Sequence, residues 1–169
     1  MSDQPKPVFS ALAAPVVGGA HFGDTHAYIQ HGNTSVFWHS VAVAYYSDRL
    51  AARLRLRVHR AQMIRGALLH DYFLYDWHRK EEGHRLHGFY HARTALENAV
   101  RDYALGEIER DIIRKHMFPL TLYPPRYRES VIVCLVDKAC SLYEIVRRDA
   151  YDPLRQQLAA LAEKSAKSD

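Results

Sequence analysis

Apolar residues recur at helical spacing along most of this chain, and these stripes predict a series of amphipathic helices. The first clear stripe begins after Thr34-Ser35 and runs to about residue 55, with Ser35 in the N-cap position. Further stripes predict helices over about 57–71, 88–103 and 107–115. No segment alternates convincingly between apolar and polar residues, as a half-buried strand would. The pattern therefore predicts an all-α fold.

A longer stripe follows Pro124-Pro125 and predicts a helix over about 126–148. Its side chains are apolar nearly all round between Val131 and Val136, which is typical of a central, buried helix. The β-branched residues there would also suit a strand, but the length and the charged ends favour a helix. Pro153 begins a last short helix in the sequence pattern.

The two ends of the chain lack such stripes. Residues 1–33 contain three prolines and a Gly-Gly pair without sustained periodicity, so we expect an extended or loosely packed lead-in. The folded domain is expected over 34–163, and the polar residues 164–169 are expected to be a frayed tail. A chain of 169 residues is long enough to bury one hydrophobic core.

The composition is that of an ordinary globular protein, with 48% hydrophobic and 25% charged residues. The 23 basic residues are scattered and the net charge is +4, which argues against a nucleic-acid arm but suits an anionic substrate. No apolar run approaches the roughly 18 residues that span a bilayer. Cys134 and Cys140 fall on different faces of one predicted helix, so a disulfide between them is not expected. We expect a cytoplasmic protein that binds neither a membrane nor a nucleic-acid polymer.

The most unusual feature is an adjacent pair, His70-Asp71, at the end of an apolar segment. Burying a carboxylate is unfavourable unless a partner offsets its desolvation. Imidazole beside carboxylate is a donor set for transition metals. Asp137 also needs a partner if it is buried, because it lies in the middle of the most apolar helix. The alternative for Asp137 is an ion pair with an arginine.

Further metal donors fall on or beside separate predicted helices, as they do in metal sites built in the cores of helical bundles. The candidate ligands are His39, His70, Asp71, His91, His116 and Asp137. Taken alone, His39, His91 and His116 are each better explained as a hydrogen-bonded core residue or a surface residue than as a ligand. The order and number of the set favour a metal site. Three other histidines compete for the place of His91: His78, His84 and His87.

The order of these donors resembles the HD-domain superfamily of metal-dependent phosphohydrolases, whose fold is a helical bundle. The resemblance covers about residues 28–148 and is closest to small, stand-alone bacterial members. The local segments that carry it are His31-Gly32-Asn33-Thr34-Ser35 before His39, Ala67-Leu68-Leu69 before His70-Asp71, His87-Gly88-Phe89-Tyr90 before His91, Ile112-Ile113 before His116, and Leu135-Val136-Asp137-Lys138.

The resemblance implies a ligand set for two divalent metal ions, drawn from iron, manganese, cobalt, nickel and magnesium. One ion would be bound by His39, His70, Asp71 and Asp137. Asp71 would bridge to a second ion held by His91 and His116.

Three details of the sequence refine this comparison. The spacing from His91 to Ala95 matches the family and favours His91 over its competitors. Tyr72 follows the His-Asp pair, where the family often carries Gly-Lys. Met117 follows His116, where cyclic-dinucleotide phosphodiesterases carry a second histidine. The two departures argue against a lysine grip on phosphate at that position and against cleavage of cyclic di-GMP.

The function that the resemblance implies is hydrolysis of a phosphomonoester or phosphodiester, with nucleotides as one candidate class, by a hydroxide that bridges the metals. Asp71 would be the catalytic residue, bridging the metals and orienting that nucleophile. Arg79, Lys80 and Lys138 are candidates for holding the phosphate. The cations of the loop are equally well explained as a solvated surface. We expect an enzyme, a metal-dependent phosphoric ester hydrolase, acting on a small phosphorylated substrate.

Two other functions stay open. Some enzymes of the HD fold have a similar ligand set and use two irons to activate oxygen, and ligation by histidine suits iron. The third possibility is a non-catalytic helical module that binds a nucleotide or a partner and keeps metal for stability. Metal content, and the colour of protein purified without air, would separate these cases.

Overall fold

The computed structural model describes residues 7–19, 21–75, 87–147 and 151–159. Within these residues the chain forms seven α-helices, a 3₁₀ turn over Gly23–Ala27 and one small hairpin. The helices are α1 (Pro7–Val17), α2 (Val36–Arg53), α3 (Arg60–Leu69), α4 (His87–Asp102), α5 (Glu107–Lys115), α6 (Arg128–Val146) and α7 (Asp152–Gln157). The predicted all-α fold is confirmed.

Helices α2, α3, α5 and α6 pack against one another at the centre of the domain. The start of α2 is fixed as the sequence predicts, because the side chain of Ser35 accepts a hydrogen bond from the backbone N–H of Trp38. Helix α3 lies unusually close to α5 at Gly66, where a Cβ atom would come within 2.6 Å of Ile112 Cδ1. This close approach brings the end of α3 beside the end of α5.

The N-terminal segment corrects one expectation. Residues 7–17 form helix α1, so the prediction of an extended or loosely packed lead-in was wrong for this part. Phe9, Ala13 and Val16 are buried, and α1 packs against α3. Pro15 lies inside the helix on its exposed side, where its ring costs one backbone hydrogen bond without disturbing the packed face. The prolines of this segment are typical of a loop, so the sequence pattern did not predict the short apolar helix.

A two-stranded antiparallel hairpin precedes α2, formed by β1 (Ile29–His31) and β2 (Thr34–Ser35). Gly32 in its turn has a φ of +57°, and a Cβ atom there would lie 2.9 Å from the backbone oxygen of Glu144. Only glycine allows this approach of the hairpin to α6. Strands of two and three residues are too short to show alternation, so the sequence pattern did not predict them.

Helix α6 is central and apolar nearly all round, as its sequence predicts, but one of its faces is not buried. Its inner face buries Ile132, Val133 and Val136, whereas Val131 and Leu135 are exposed. No helix in the described part of the chain has the length and apolar character needed to cross a membrane. The predicted tail, residues 164–169, lies outside the described residues.

Candidate metal centre

Six buried polar side chains converge where the ends of α3 and α5 meet α2, α4 and α6. They form three overlapping groups in which the ligand atoms lie within 4.8 Å of one another. The residues are His39, His70, Asp71, His91, His116 and Asp137. The fold thus brings together all six of the ligands named from the sequence, including His91.

The first cluster joins α2, the end of α3 and α6. His39 Nε2 lies 3.3 Å from His70 Nε2 and 3.1 Å from Asp137 Oδ1. Asp71 Oδ2 lies 3.3 Å from His70 Nε2 and 3.6 Å from His39 Nε2. Two ligand atoms that are each about 2.1 Å from one ion lie about 3.0–3.4 Å apart, depending on the coordination angle. The spacing therefore fits a single coordination shell.

The second cluster joins α4 and the end of α5 to the same aspartate. His91 Nε2 lies 2.8 Å from His116 Nε2. Asp71 Oδ1 lies 3.3 Å from the first of these nitrogens and 3.4 Å from the second. The two oxygens of Asp71 thus face different clusters, Oδ2 the first and Oδ1 the second.

The histidine rings are oriented so that lone pairs face the clusters. His70 Nδ1 donates a hydrogen bond to the carbonyl of Ala67 at 2.7 Å, and His116 Nδ1 donates to the carbonyl of Ile113 at 2.9 Å. In the neutral rings the Nε2 atoms are then unprotonated. Asp71 Oδ1 is buried and accepts no hydrogen bond of good geometry. Lone pairs that converge on a buried carboxylate oxygen fit a cation, and this donor set suits a divalent transition metal.

The carboxylates of the first cluster raise the pKa values of its histidines. Burial opposes the charged form of His39, but hydrogen bonds with Asp137 and Glu144 outweigh burial and raise its pKa to about 9. Burial likewise opposes the charged form of His70, but the charge of Asp71 raises its pKa well above the ordinary value. Burial lowers the pKa of His116 in the second cluster. Without a metal, His39 and His70 therefore tend to be protonated, and their positive charges balance the two aspartates as a metal ion would.

The pKa values of the two carboxylates in this cluster shift in the opposite direction, downwards. Burial alone would raise the pKa of Asp137, but hydrogen bonds with His39 and His70 lower it well below its usual range. The charge of His70 outweighs burial in the same way and lowers the pKa of Asp71. Among the described residues, the ion-pair partners of Asp137 are His39 and His70. An arginine, the alternative partner considered for Asp137, is not among them.

A second layer of residues behind His39 was missed by the sequence analysis. Glu144 is fully buried, and its carboxylate accepts a hydrogen bond from His39 Nδ1 at 2.8 Å. Tyr151 in turn donates its hydroxyl hydrogen to Glu144 at 2.7 Å. Such partners fix the ring orientation and tautomer of a metal-binding histidine. The available signal was the spacing, since Glu144 follows Asp137 by two turns on the same apolar helix.

Gln30 of strand β1 is the other residue that was missed. It is almost fully buried, and its Nε2 donates a hydrogen bond to Asp71 Oδ2 at 2.6 Å. Its Oε1 is buried without a hydrogen-bond partner. The reversed amide would place an oxygen against the carboxylate, so this orientation is the favourable one. Gln30 precedes the His31-Gly32 segment that carried part of the family resemblance.

The three predicted phosphate-binding residues have different positions. Lys138 lies beside the candidate ligand Asp137, but its Nζ donates hydrogen bonds to the carbonyls of His116 at 2.8 Å and Cys134 at 3.3 Å. This geometry ties the end of α5 to α6. Arg79 and Lys80 lie outside the described residues. A phosphate-binding role for these three cations stays a prediction.

Comparison with known proteins agrees with this geometry. A family model described as HD domain matches residues 36–142, which is more than half of the chain. The chain belongs to the HD-domain family. The predicted resemblance is thereby confirmed, and this family is a superfamily of metal-dependent phosphohydrolases whose domains bind divalent metals. Searches of curated proteins and of solved structures found no match.

The matched range contains all six candidate ligands of this HD domain, but not the three side chains that support His39 and Asp71. Gln30 precedes the range, and Glu144 and Tyr151 follow it. The inner layer of the centre therefore belongs to the part that the family model describes. The supporting layer comes from the hairpin, the end of α6 and the segment that begins α7.

Proposed function

We propose that this HD-domain protein is a phosphoric ester hydrolase that uses two divalent metal ions. The observation that carries the proposal is the division of the Asp71 carboxylate, whose two oxygens face separate clusters of histidine nitrogens. A site for one ion would need only one of these clusters. The convergence of the buried His91 and His116 on Asp71 Oδ1 favours a second ion at that cluster.

Each cluster would hold one ion, with the ligands that the family resemblance implies. Divalent ions bound there would lower the pKa of a water molecule towards neutrality and neutralise charge on the phosphoryl oxygens. Asp71 is the residue best placed to orient the attacking water, because it faces both clusters. Asp137 and the four histidines would fix the positions of the ions.

The supporting residues contribute orientation. Glu144 and Tyr151 hold the His39 ring so that its Nε2 faces the first cluster. Gln30 Nε2 holds Asp71 Oδ2, which fixes the rotation of the carboxylate.

The substrate that suits this site is a small phosphorylated molecule, with nucleotides the first class to examine. The net charge of +4 favours an anionic ligand. The chain has no glycine-rich phosphate loop, so the metals and nearby cations would have to provide phosphate recognition. Lys138 is one such cation, and it would need to exchange its present backbone partners for phosphate oxygens.

Elemental analysis of protein purified without chelator, followed by assays on a panel of phosphoesters, tests this proposal. We expect about two ions per chain and phosphate release that chelator abolishes. Asp71→Asn should lose metal and activity together, because it weakens a ligand common to both clusters. His91→Ala should lose one ion, whereas His59→Ala, at an exposed histidine outside the centre, should behave as the parent protein.

Three results would contradict the proposal. One ion per chain would leave the second cluster without a function. A His91→Ala protein that kept both ions would exclude His91 as a ligand. Two irons with oxygen consumption and no phosphate release would identify an oxygenase instead.

A further inference from the structure

The exposed face of α6 carries apolar side chains at alternating intervals of four and three residues. Val131, Leu135, Leu142 and Ile145 are 44%, 61%, 65% and 65% exposed. The position between Leu135 and Leu142 that completes the series is Lys138. This is the spacing of the a and d positions that form the seam of a coiled coil. We call these five positions the α6 seam.

The one charged member of the α6 seam is turned back towards its own chain. Lys138 Nζ donates hydrogen bonds to the carbonyls of His116 and Cys134 and also contacts Cys134 Sγ at 3.2 Å. Its ammonium group is therefore occupied beside α5, and the methylene stem is the part that covers α6. With the ammonium group in this position, the seam presents mainly apolar side chains.

We propose that a second copy of this chain covers the α6 seam, with the two α6 helices packed antiparallel about a two-fold axis. The axis would pass midway between Leu135 and Lys138. Val131 would then face Leu142 of the partner subunit, because both lie equally far from the midpoint. Leu135 would face the stem of Lys138 of the partner subunit. This self-complementarity is what a two-fold symmetric interface requires.

The surface beside the seam extends the same interface. A cleft of about 800 Å³ lies between α2 and α6, and its lining includes Tyr46, Ala139 and Tyr143 together with Arg49 and Arg53 of α2. Ala139 and Tyr143 are exposed and lie on the flank of the seam. A stable interface buries roughly 800 Å² on each partner, which is more than one helical stripe provides. The cleft offers the additional apolar surface, and the interface leaves the metal centre within each chain.

The charges on α6 predict how the proposed dimer responds to salt. Its exposed ends carry Arg128 and Arg147, whereas its acidic residues Glu129, Asp137 and Glu144 are buried. In the antiparallel pair, Arg128 faces Ile145 of the partner subunit and lies two positions along the axis from Arg147 of the partner subunit, so the two cations repel each other. Salt screens this repulsion, so self-association should strengthen as ionic strength rises. If the seam instead bound an acidic helix of another protein, that binding would weaken as ionic strength rises.

Sedimentation velocity of the full-length, metal-loaded protein tests the proposal. We expect the mass of two 19.5 kDa chains at micromolar concentration, with a larger dimer fraction at higher salt. The double variant Leu135→Glu/Leu142→Glu should sediment as one chain with its metal content and helical circular dichroism retained. Leu122→Glu is the matched control, because this leucine is 87% exposed and lies outside the seam.

Cysteine cross-linking tests the orientation of the helices. Val131→Cys/Leu142→Cys should form a disulfide-linked dimer on mild oxidation, because these positions face each other across the axis. Val131→Cys alone should not, since the antiparallel pair keeps the two copies of position 131 apart.

Several results would overturn the proposal. They are a parent protein that is monomeric at all accessible concentrations, a double glutamate variant that still dimerises, and a dimer that salt dissociates. A dimer cross-linked through position 131 alone would overturn the antiparallel arrangement. None of these results depends on phosphatase activity, so the proposed function is tested separately.

Discussion

At the scale of single residues, Asp71 connects the parts of the centre. Its Oδ2 contacts the first cluster and accepts the hydrogen bond of Gln30, while its Oδ1 contacts the second. The carboxylate is buried, and the charge of His70 keeps it ionised by lowering its pKa. Rotation of this one side chain would disturb both clusters at once, so the residue that fixes its rotation should matter for metal binding.

Gln30 should therefore act as a positioning residue for Asp71. Gln30→Met keeps the length of the side chain and removes both polar atoms of the amide. We expect metal affinity to fall about 10- to 100-fold, the usual effect of losing a partner behind a ligand. Calorimetric titration of the metal-depleted protein measures this loss. Gln157→Ala, at an exposed glutamine of α7, is the control and should leave the affinity unchanged. Unchanged affinity in Gln30→Met would assign Gln30 a packing role only.

At the scale of elements, the centre depends on how closely α3 and α5 approach each other. A candidate ligand directly follows each helix, His70 after α3 and His116 after α5. The aromatic rings of these two histidines lie 4.9 Å apart, between centroids. This proximity exists because Gly66 lets the backbones come together, leaving no room for a Cβ atom beside Ile112.

Gly66→Ala should destabilise the protein and loosen the metal centre. The new Cβ atom would lie 2.6 Å from Ile112 Cδ1 and 3.2 Å from Glu109 Cα, so the Ile112 side chain must move and α3 and α5 must adjust their spacing by a few tenths of an ångström. Overpacking of this kind costs about 1–3 kcal/mol, which thermal unfolding would measure. The double variant Gly66→Ala/Ile112→Val removes the nearest clashing atom and should recover part of the loss. No recovery would show that the contact with α5 backbone dominates.

At the scale of the whole molecule, the charge of the centre couples metal binding to stability and pH. The first cluster holds two histidines whose pKa values are raised and two aspartates whose pKa values are lowered. Stability linked to a raised pKa is present below the unfolded value and is lost as pH rises. Stability linked to a lowered pKa is present above the unfolded value and is lost as pH falls.

The metal-depleted protein should therefore be most stable in mildly acidic solution. His39 contributes fully below its ordinary pKa of 6.5 and loses its contribution as pH rises through about 9. Asp137 contributes above its ordinary pKa of 3.8 and loses its contribution as pH falls. Unfolding midpoints of chelator-treated protein should decline from pH 6.5 to 9.

Metal binding should show the opposite trend. The ion displaces the protons of His39 and His70, so affinity should rise over the same pH range and binding should release protons into an unbuffered solution. The metal-loaded protein serves as the control for the unfolding series. Flat unfolding midpoints in the depleted protein, or binding without proton release, would contradict this coupling.

The sequence by itself determined the helical class, the family and the six residues that converge. These features have local signals: apolar stripes at helical spacing, the His70-Asp71 pair and the carboxylate Asp137 inside an apolar helix. A buried ionisable residue needs a partner, so its presence in an apolar stripe can be recognised without coordinates. The bounds of α5 were predicted at residues 107–115, as the structure has them.

Only the tertiary structure decided how these residues are supported. Gln30 lies 41 residues from Asp71, and Glu144 lies 105 residues from His39. Such hydrogen bonds leave no periodic signal, because they depend on where the hairpin and the end of α6 pack. The same holds for α1, whose apolar stripe gains its helical structure by packing on α3. Which face of α6 is exposed also depended on its neighbours, since both faces are apolar in the sequence.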